Sequence, residues 1–450
     1  MSSERDCNRG LPSVAELKTL VERALETARQ RGASAAEVAA NASQGLSVKV
    51  RQGEVDTLEH MRDRGLAVSV YFGQRKGEAS SADYSAGAID ETVAAACEIA
   101  RYTSEDPCSG LADAGLLARD VPDLGLHHPW GVSAEAAIEL ARETERAALD
   151  VDSRLTNSEG AEVSAGEGVR VYGNSHGFIG GYPASQHAIS CAVLGREGDA
   201  MQRDFWYTAA RAPEWLESAA EVGRQAGRRT VARLGARRLS TRQVPVIFDP
   251  STARGLIGHF VGAISGGSLY RRASFLVDHL DRQVFPAGFS ISERPHLPGA
   301  LGSTPFDGEG VATRDRELVV DGVLRGYVLS SYSARKLGME TTGNAGGVHN
   351  LCVAPGEKDL DELVADVGEG LLVTQLMGQG VNTVTGDYSR GASGFWIENG
   401  RIAYPVEEIT IAGNLKEMLR HITAVGRDVD TRGSIRTGSL VVEGMTVAGE

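Results

Sequence analysis

Residues 395–404, FWIENGRIAY, decide how the second half of this chain is read. Two short apolar runs flank Asn399-Gly400, a pair suited to the left-handed backbone that a two-residue hairpin turn demands. The same grammar stands upstream, where Asp321-Gly322 separates LVV (318–320) from VLRGYVL (323–329). Many short strands with glycine turns predict a closed or strongly curved antiparallel sheet. A helix interrupts this pattern. Asp249 and Pro250 form an N-cap followed by proline at the first helical position, and GLIGHFVGAISG (255–266) continues as an apolar, glycine-rich run with one histidine, His259. A further helix near Leu360–Val367 leads into Leu371–Leu376.

Upstream of Pro245 the texture differs. Ser13 and Glu16 form a capping box, an apolar stripe runs from Leu17 to Ala28, and Gly32 ends the helix. Short alternating segments follow at Leu46–Val50, Val55–Leu58 and Leu66–Phe72, then a helix at Ala86–Tyr102. The order repeats: a helix from Ser133 to Leu149, strands near Gly168–Tyr172, Gly177–Gly181 and Ala188–Leu194, and a long arginine-rich helix from Pro213 to Leu234. The fold class is therefore α+β. An N-terminal α/β region over 1–240 is consistent with an internal duplication into 1–125 and 126–240. A β-rich domain occupies 241–450.

Composition narrows the function. A formal net charge of −14 over 450 residues argues against a nucleic-acid or anionic-membrane surface. Glycine is abundant (55 against 14 prolines), which suits hairpins and tight turns. Cys7, Cys97, Cys108, Cys191 and Cys352 are dispersed without CxxC spacing, which points to a reducing compartment. The opening MSSERDCNRGLPS has no apolar core of a leader peptide, and no run reaches membrane-spanning length. The expected setting is soluble and cytoplasmic.

Four segments carry a resemblance to a known family: VYFGQRKGEASSADYS (70–85), ARYTSEDPCSGLADAGLL (100–117), YSARKLGMETTGNAGGVHNL (332–351) and GDYSRGASGFWIENGRIAYPVEEITIAGNL (386–415). The chain resembles the TldD/PmbA family from end to end, on its PmbA (TldE) branch. The resemblance implies an N-terminal α/β region and a barrel-like C-terminal domain. It also implies a partner role. TldD is the zinc metallopeptidase, PmbA its heterodimeric companion, and the pair degrades or trims unfolded and modified peptides, including peptide antibiotics in maturation and an antitoxin. TldD proteins carry HExxxH at the place where this chain has His259, with Phe260 at the glutamate position and Ile264 at the second histidine. A hydrolytic zinc site needs three protein ligands, a water and a base. Residues i and i+5 also sit roughly 140° apart on a regular helix. The expectation is a structural helix, no catalytic or metal residue in this chain, and zinc in the partner subunit.

Other candidates are weaker. In TTGNAGGVHN (341–350), Gly343, Asn344, Gly346, Gly347 and His349 read either as a groove where an extended peptide pairs with backbone or as a turn rich in positive φ. His349 and Cys352 permit a rival reading, a hydrolase with its own nucleophile. A stand-alone peptide-binding homodimer is a third. Glu407 and Glu408, adjacent on a strand, should face opposite sides. His127 and His128 sit in a linker and should be exposed, and Arg224, Arg228 and Arg229 form a basic helical stripe expected to face solvent.

Overall fold

The computed structural model describes residues 10–449; Cys7 lies outside them. Its first half is one chain path taken twice. Helix α1 (Val14–Gln30), strands β1 (Ala35–Arg51), β2 (Glu54–Phe72) and β3 (Arg75–Ser81) and helix α2 (Ala86–Tyr102) make the first pass. Helix α3 (Ala134–Leu149), strands β4 (Leu155–Asn174), β5 (Ile179–Glu197) and β6 (Ala200–Ala210) and helix α4 (Ala219–Ala232) make the second. Each of the four helices opens on a serine, Ser13, Ser85, Ser133 or Ser218, whose hydroxyl accepts from the backbone N–H three residues on. Both passes share one antiparallel sheet in the order β3-β2-β1-β4-β5-β6, with β1 and β4 side by side at its centre.

Four of these strands are far longer than their apolar stretches. β1, β2, β4 and β5 run 17, 19, 20 and 19 residues, where the alternation marked only short pieces. The cause is the helix layer. α1 and α2 cover one half of the sheet, over Val38, Ala40, Leu66, Val68 and Val171, and α3 and α4 cover the other, over Val48, Val50, Val163, Ile189 and Val193. Between the pairs no helix covers the strands, so their middles turn polar and glycine-rich while the ladder continues. The helix expected from Pro213 is two elements: a 3₁₀ turn at Pro213–Trp215, then α4 after its own serine cap.

The second half begins with β7 (Arg242–Phe248), α5 (Pro250–Ala263) and α6 (Gly266–Tyr270). β8 (Ile291–Glu293), β9 (Arg316–Val320), β10 (Val323–Leu324), α7 (Ser331–Leu337), β11 (Leu351–Val353) and α8 (Leu360–Val367) follow. β12 (Gly370–Met377), β13 (Asp387–Glu398), β14 (Arg401–Asn414), α9 (Leu415–Arg420), β15 (Ile422–Val425), β16 (Ile435–Arg436) and β17 (Leu440–Ala448) complete it. Strands β14, β13, β12, β7 and β17 close into a five-stranded barrel, sealed where Thr410, Ile411 and Ala412 pair with Ala448, Val447 and Thr446. The turn pairs behave as their chemistry requires, with φ of 51° and 70° at Asn399 and Gly400 and 50° and 76° at Asp321 and Gly322. The barrel is not wholly antiparallel. β7 and β12 run parallel because a long crossover, residues 249–369, joins them in place of a hairpin. The fold is α+β with a barrel in its C-terminal region. Among the described residues no helix is long and apolar enough to cross a membrane.

Candidate functional site

Helix α5 starts at Asp249, whose carboxylate accepts from the Thr252 N–H at 2.8 Å, and the Thr252 hydroxyl donates to the Val373 carbonyl of β12 at 3.1 Å. Phe260 and Ile264 are fully buried, and Phe260 meets Phe285 edge-to-face at 4.9 Å. Both are core residues. His259 lies apart from them, half-buried, with its ring edge-on to Tyr388 at 6.0 Å and an Nε2 that is buried without a partner. Burial first, and then the positive field of Arg390, push its imidazole below the ordinary range. A neutral imidazole beside a guanidinium can accept a hydrogen bond, but the surroundings oppose a bound cation.

The 341–350 loop is a compact turn. Gly343, Gly346 and Gly347 take φ of 73°, 103° and 123°. Two of its N–H groups are spent on buried carboxylates: Ala345 donates to Asp307 at 2.9 Å and His349 to Glu293 at 2.6 Å. Glu293 also accepts from the Asn344 side chain at 2.8 Å and from Arg316 Nε at 2.6 Å. Burial above all pushes Asp307 up to about 6, and the neighbouring Glu309 adds to the rise. His349 is held below its usual range by burial, and its Nε2 finds no partner. Gly343 borders a cavity of about 490 Å³ that it shares with Arg119, His296, Arg314, Thr341 and Thr342. This arrangement favours the turn over an extended backbone groove. Glu293 and Asp307, which organise the loop, escaped sequence reading because each is a lone acid far from it in the chain.

Cys352 is no better placed as a nucleophile. Its thiol donates to the Asn350 carbonyl at 3.3 Å, and burial pushes it up, opposite to the shift an activated cysteine needs. Glu407 accepts from Gln202 at 2.6 Å, whereas Glu408, at φ 51°, pairs with Arg238. Arg224 and Arg228 do face solvent, both bound to Glu221. Arg229 does not: it turns inward to Asp204 at 3.4 Å and covers the Trp206 ring at 5.4 Å. There it lines a cavity of about 720 Å³ between sheet and barrel, with Asp249, Thr374, Asp430 and Arg432. The linker histidines are also engaged. His127 bonds Glu167 at 2.9 Å and His128 packs on Trp215 at 5.0 Å.

A doubled, helix-backed sheet joined to a closed barrel that carries the His259 helix defines a two-part scaffold, and it is that of a metallopeptidase family. Family models for PmbA/TldA metallopeptidase domain 1, central domain and C-terminal domain match residues 36–100, 127–234 and 241–449. The chain belongs to the PmbA/TldD metallopeptidase family, on its PmbA/TldE branch. It is 52% identical over 435 residues to the metalloprotease PmbA homolog of Haemophilus influenzae, covering 96% of both chains. To the metalloprotease PmbA of Escherichia coli O157:H7 it is 51% identical over 434 residues, again 96% of each. A crystal structure from Bacteroides thetaiotaomicron superposes with a TM-score of 0.91 at 30% identity, over 96% of this chain and 99% of that one. TldE from Thermococcus kodakarensis shares the fold, with a TM-score of 0.82 at 21% identity over 96% of this chain and all of that one.

The relatives' name implies a metal, and the residues around His259 do not fit one. Ile264 and Phe260 are apolar core, and the charged neighbour is Arg390. Among the described residues no three His, Cys, Asp or Glu side chains are grouped to hold an ion. No histidine of the sequence is followed by glutamate.

Proposed function

We propose that this chain is the non-catalytic subunit of a TldD/TldE-type heterodimeric metallopeptidase that degrades or trims unfolded or modified peptides in the cytoplasm. The observation that carries the reading is the chemistry of helix α5. At the family's place for a zinc ligand, a base and a second ligand stand His259, Phe260 and Ile264, two of them in the core and the third beside a guanidinium. Zinc and the water-activating base then belong to the partner. This chain supplies scaffold and a wall of the substrate cleft, for which the cavity beside Gly343 is the candidate surface.

The test is hydrolysis of an unfolded peptide by the purified chain, alone and with an equimolar TldD-type protein, with zinc assayed in each. The expected result is chelator-sensitive cleavage in the mixture only, with zinc in the partner. Chelator-sensitive cleavage by this chain alone would overturn the reading. The rival of an independent nucleophile predicts activity that Cys352→Ala and His349→Ala both abolish.

A further inference from the structure

The uncovered strip of the N-terminal sheet, between the two helix pairs, is a built pocket remote from helix α5. Gln44 on β1 and Glu167 on β4 are register partners there, and Gln44 Nε2 donates to Glu167 Oε1 at 2.7 Å. In the next row of the same face stand Leu46, Ala165 and His187. The segment through His127, His128 and Trp130 arches over them, leaving a cavity of about 500 Å³. His60 and Arg62, exposed on β2, stand at its mouth.

The polar groups of this pocket have a definite hydrogen-bonding sense. His187 is 1% exposed, and its Nε2 is 2.8 Å from the His128 carbonyl. A carbonyl only accepts, so Nε2 carries the proton and the other nitrogen, Nδ1, is a bare acceptor. That Nδ1 is buried with no partner. Glu167 is a carboxylate held by Gln44 and by His127, with lone pairs to spare. Burial opposes its charge, but the hydrogen bonds from Gln44 and His127 hold it below the usual range. Trp130 lines the same cavity, its ring centroid 5.5 Å from that of His187 at 66°, and an indole is an aromatic that cations favour. Two acceptors, a negative charge and an indole call for one complementary group: a cationic N–H donor.

We propose that this pocket binds an ammonium group of a peptide, either its α-amino end or a lysine side chain. The site lies on a different element from the zinc-family helix; that its ammonium belongs to a peptide rests on the peptide substrate proposed above, whereas the ammonium site itself does not depend on the subunit role.

Calorimetric titration of the isolated chain tests it with three short peptides. One is lysine-free with a free α-amine, one is the same peptide N-acetylated, and one is N-acetylated with an internal lysine. The expected result is that one or both ammonium-bearing peptides bind at least tenfold more tightly than the acetylated lysine-free peptide, and which of them does so identifies the source. Glu167→Gln, close to isosteric, should weaken the preferred peptide at least fivefold. Trp130→Leu should do the same, with thermal unfolding confirming that each variant is folded. Independently, the ¹⁵N signal of His187 Nδ1 should leave the bare-imine position when that peptide is added. Equal binding of all three peptides, no binding, or an unmoved His187 signal at saturation would overturn the proposal.

Discussion

Glu293 shows how one buried acid can organise a loop. It is 2% exposed and gathers Arg316, the Asn344 amide and the His349 N–H onto two oxygens. Removing it strands a mostly buried guanidinium and two donors, and breaking such a pair costs about 3–5 kcal/mol. Glu293→Ala should therefore lower the urea midpoint by that equivalent, with Arg316→Ala similar and the double variant less than additive; additive losses would show that the pair does not interact. Titration gives a second handle at this scale. His259 and His349 are both held below the ordinary histidine range by burial. As pH falls, the unfolded chain takes up their protons first. The stability they contribute is present above about pH 6.5 and is lost as pH drops through the folded values. His349→Gln should flatten the dependence of unfolding free energy on pH between 7 and 5, measured by denaturant titration at each pH. A curve parallel to the parent's would exclude this source.

At the scale of elements, close approach is the controlling quantity. A Cβ on Gly223 of α4 would lie 2.0 Å from the Thr144 carbonyl oxygen of α3, so the two helices touch through backbone. Gly223→Ala must push them apart, at a cost of about 1–3 kcal/mol. Thermal unfolding reads it, and an unchanged midpoint would mean that the helices repack freely. This contact was invisible in sequence, where Gly223 is one glycine among 55. What was legible was local chemistry: the serine cap at 13, the Asp249-Pro250 start, and the Asn399-Gly400 and Asp321-Gly322 turns, since each states its own geometry. The long strands were not legible, because Gln44, Gly45, Gly166 and Glu167 break the apolar alternation at the place where no helix covers the sheet. Nor was the parallel pair β7–β12, which depends on partners more than a hundred residues apart. The apolar character of the His259 helix was readable, and Phe260 and Ile264 are buried in the core. The pocket at Glu167 and His187 was not, because its residues come from separate strands and the His127 segment looked like a plain linker.

At the scale of the whole molecule, sheet and barrel are joined by polar contacts. Asp106, beyond α2, accepts from Tyr332 at 2.7 Å and Lys336 at 3.0 Å on α7. Across the other side, Arg432 lies over the rings of Trp206 and Tyr207 at 4.2 and 4.5 Å and donates to the Tyr207 carbonyl at 2.5 Å. It also pairs with Asp430, whose side chain is 4% exposed, while Arg254 reaches that acid at 3.7 Å and the Tyr207 hydroxyl at 3.1 Å. Because Arg432 serves a buried acid and two aromatic faces together, it couples the folding of one half to the other. Arg432→Ala leaves Asp430 with the backbone N–H of residue 432 and one longer ion pair, to Arg254, and a loss of about 3 kcal/mol is expected. The loss should fall on the junction, so calorimetry should show one melting peak for the parent and a broadened or split one for the variant, as the halves unfold separately. Asp106→Ala, which removes the opposite contact, should deepen the split in the double variant. A single sharp peak at lower temperature in both would place the coupling in the apolar packing between the halves and not in these arginines.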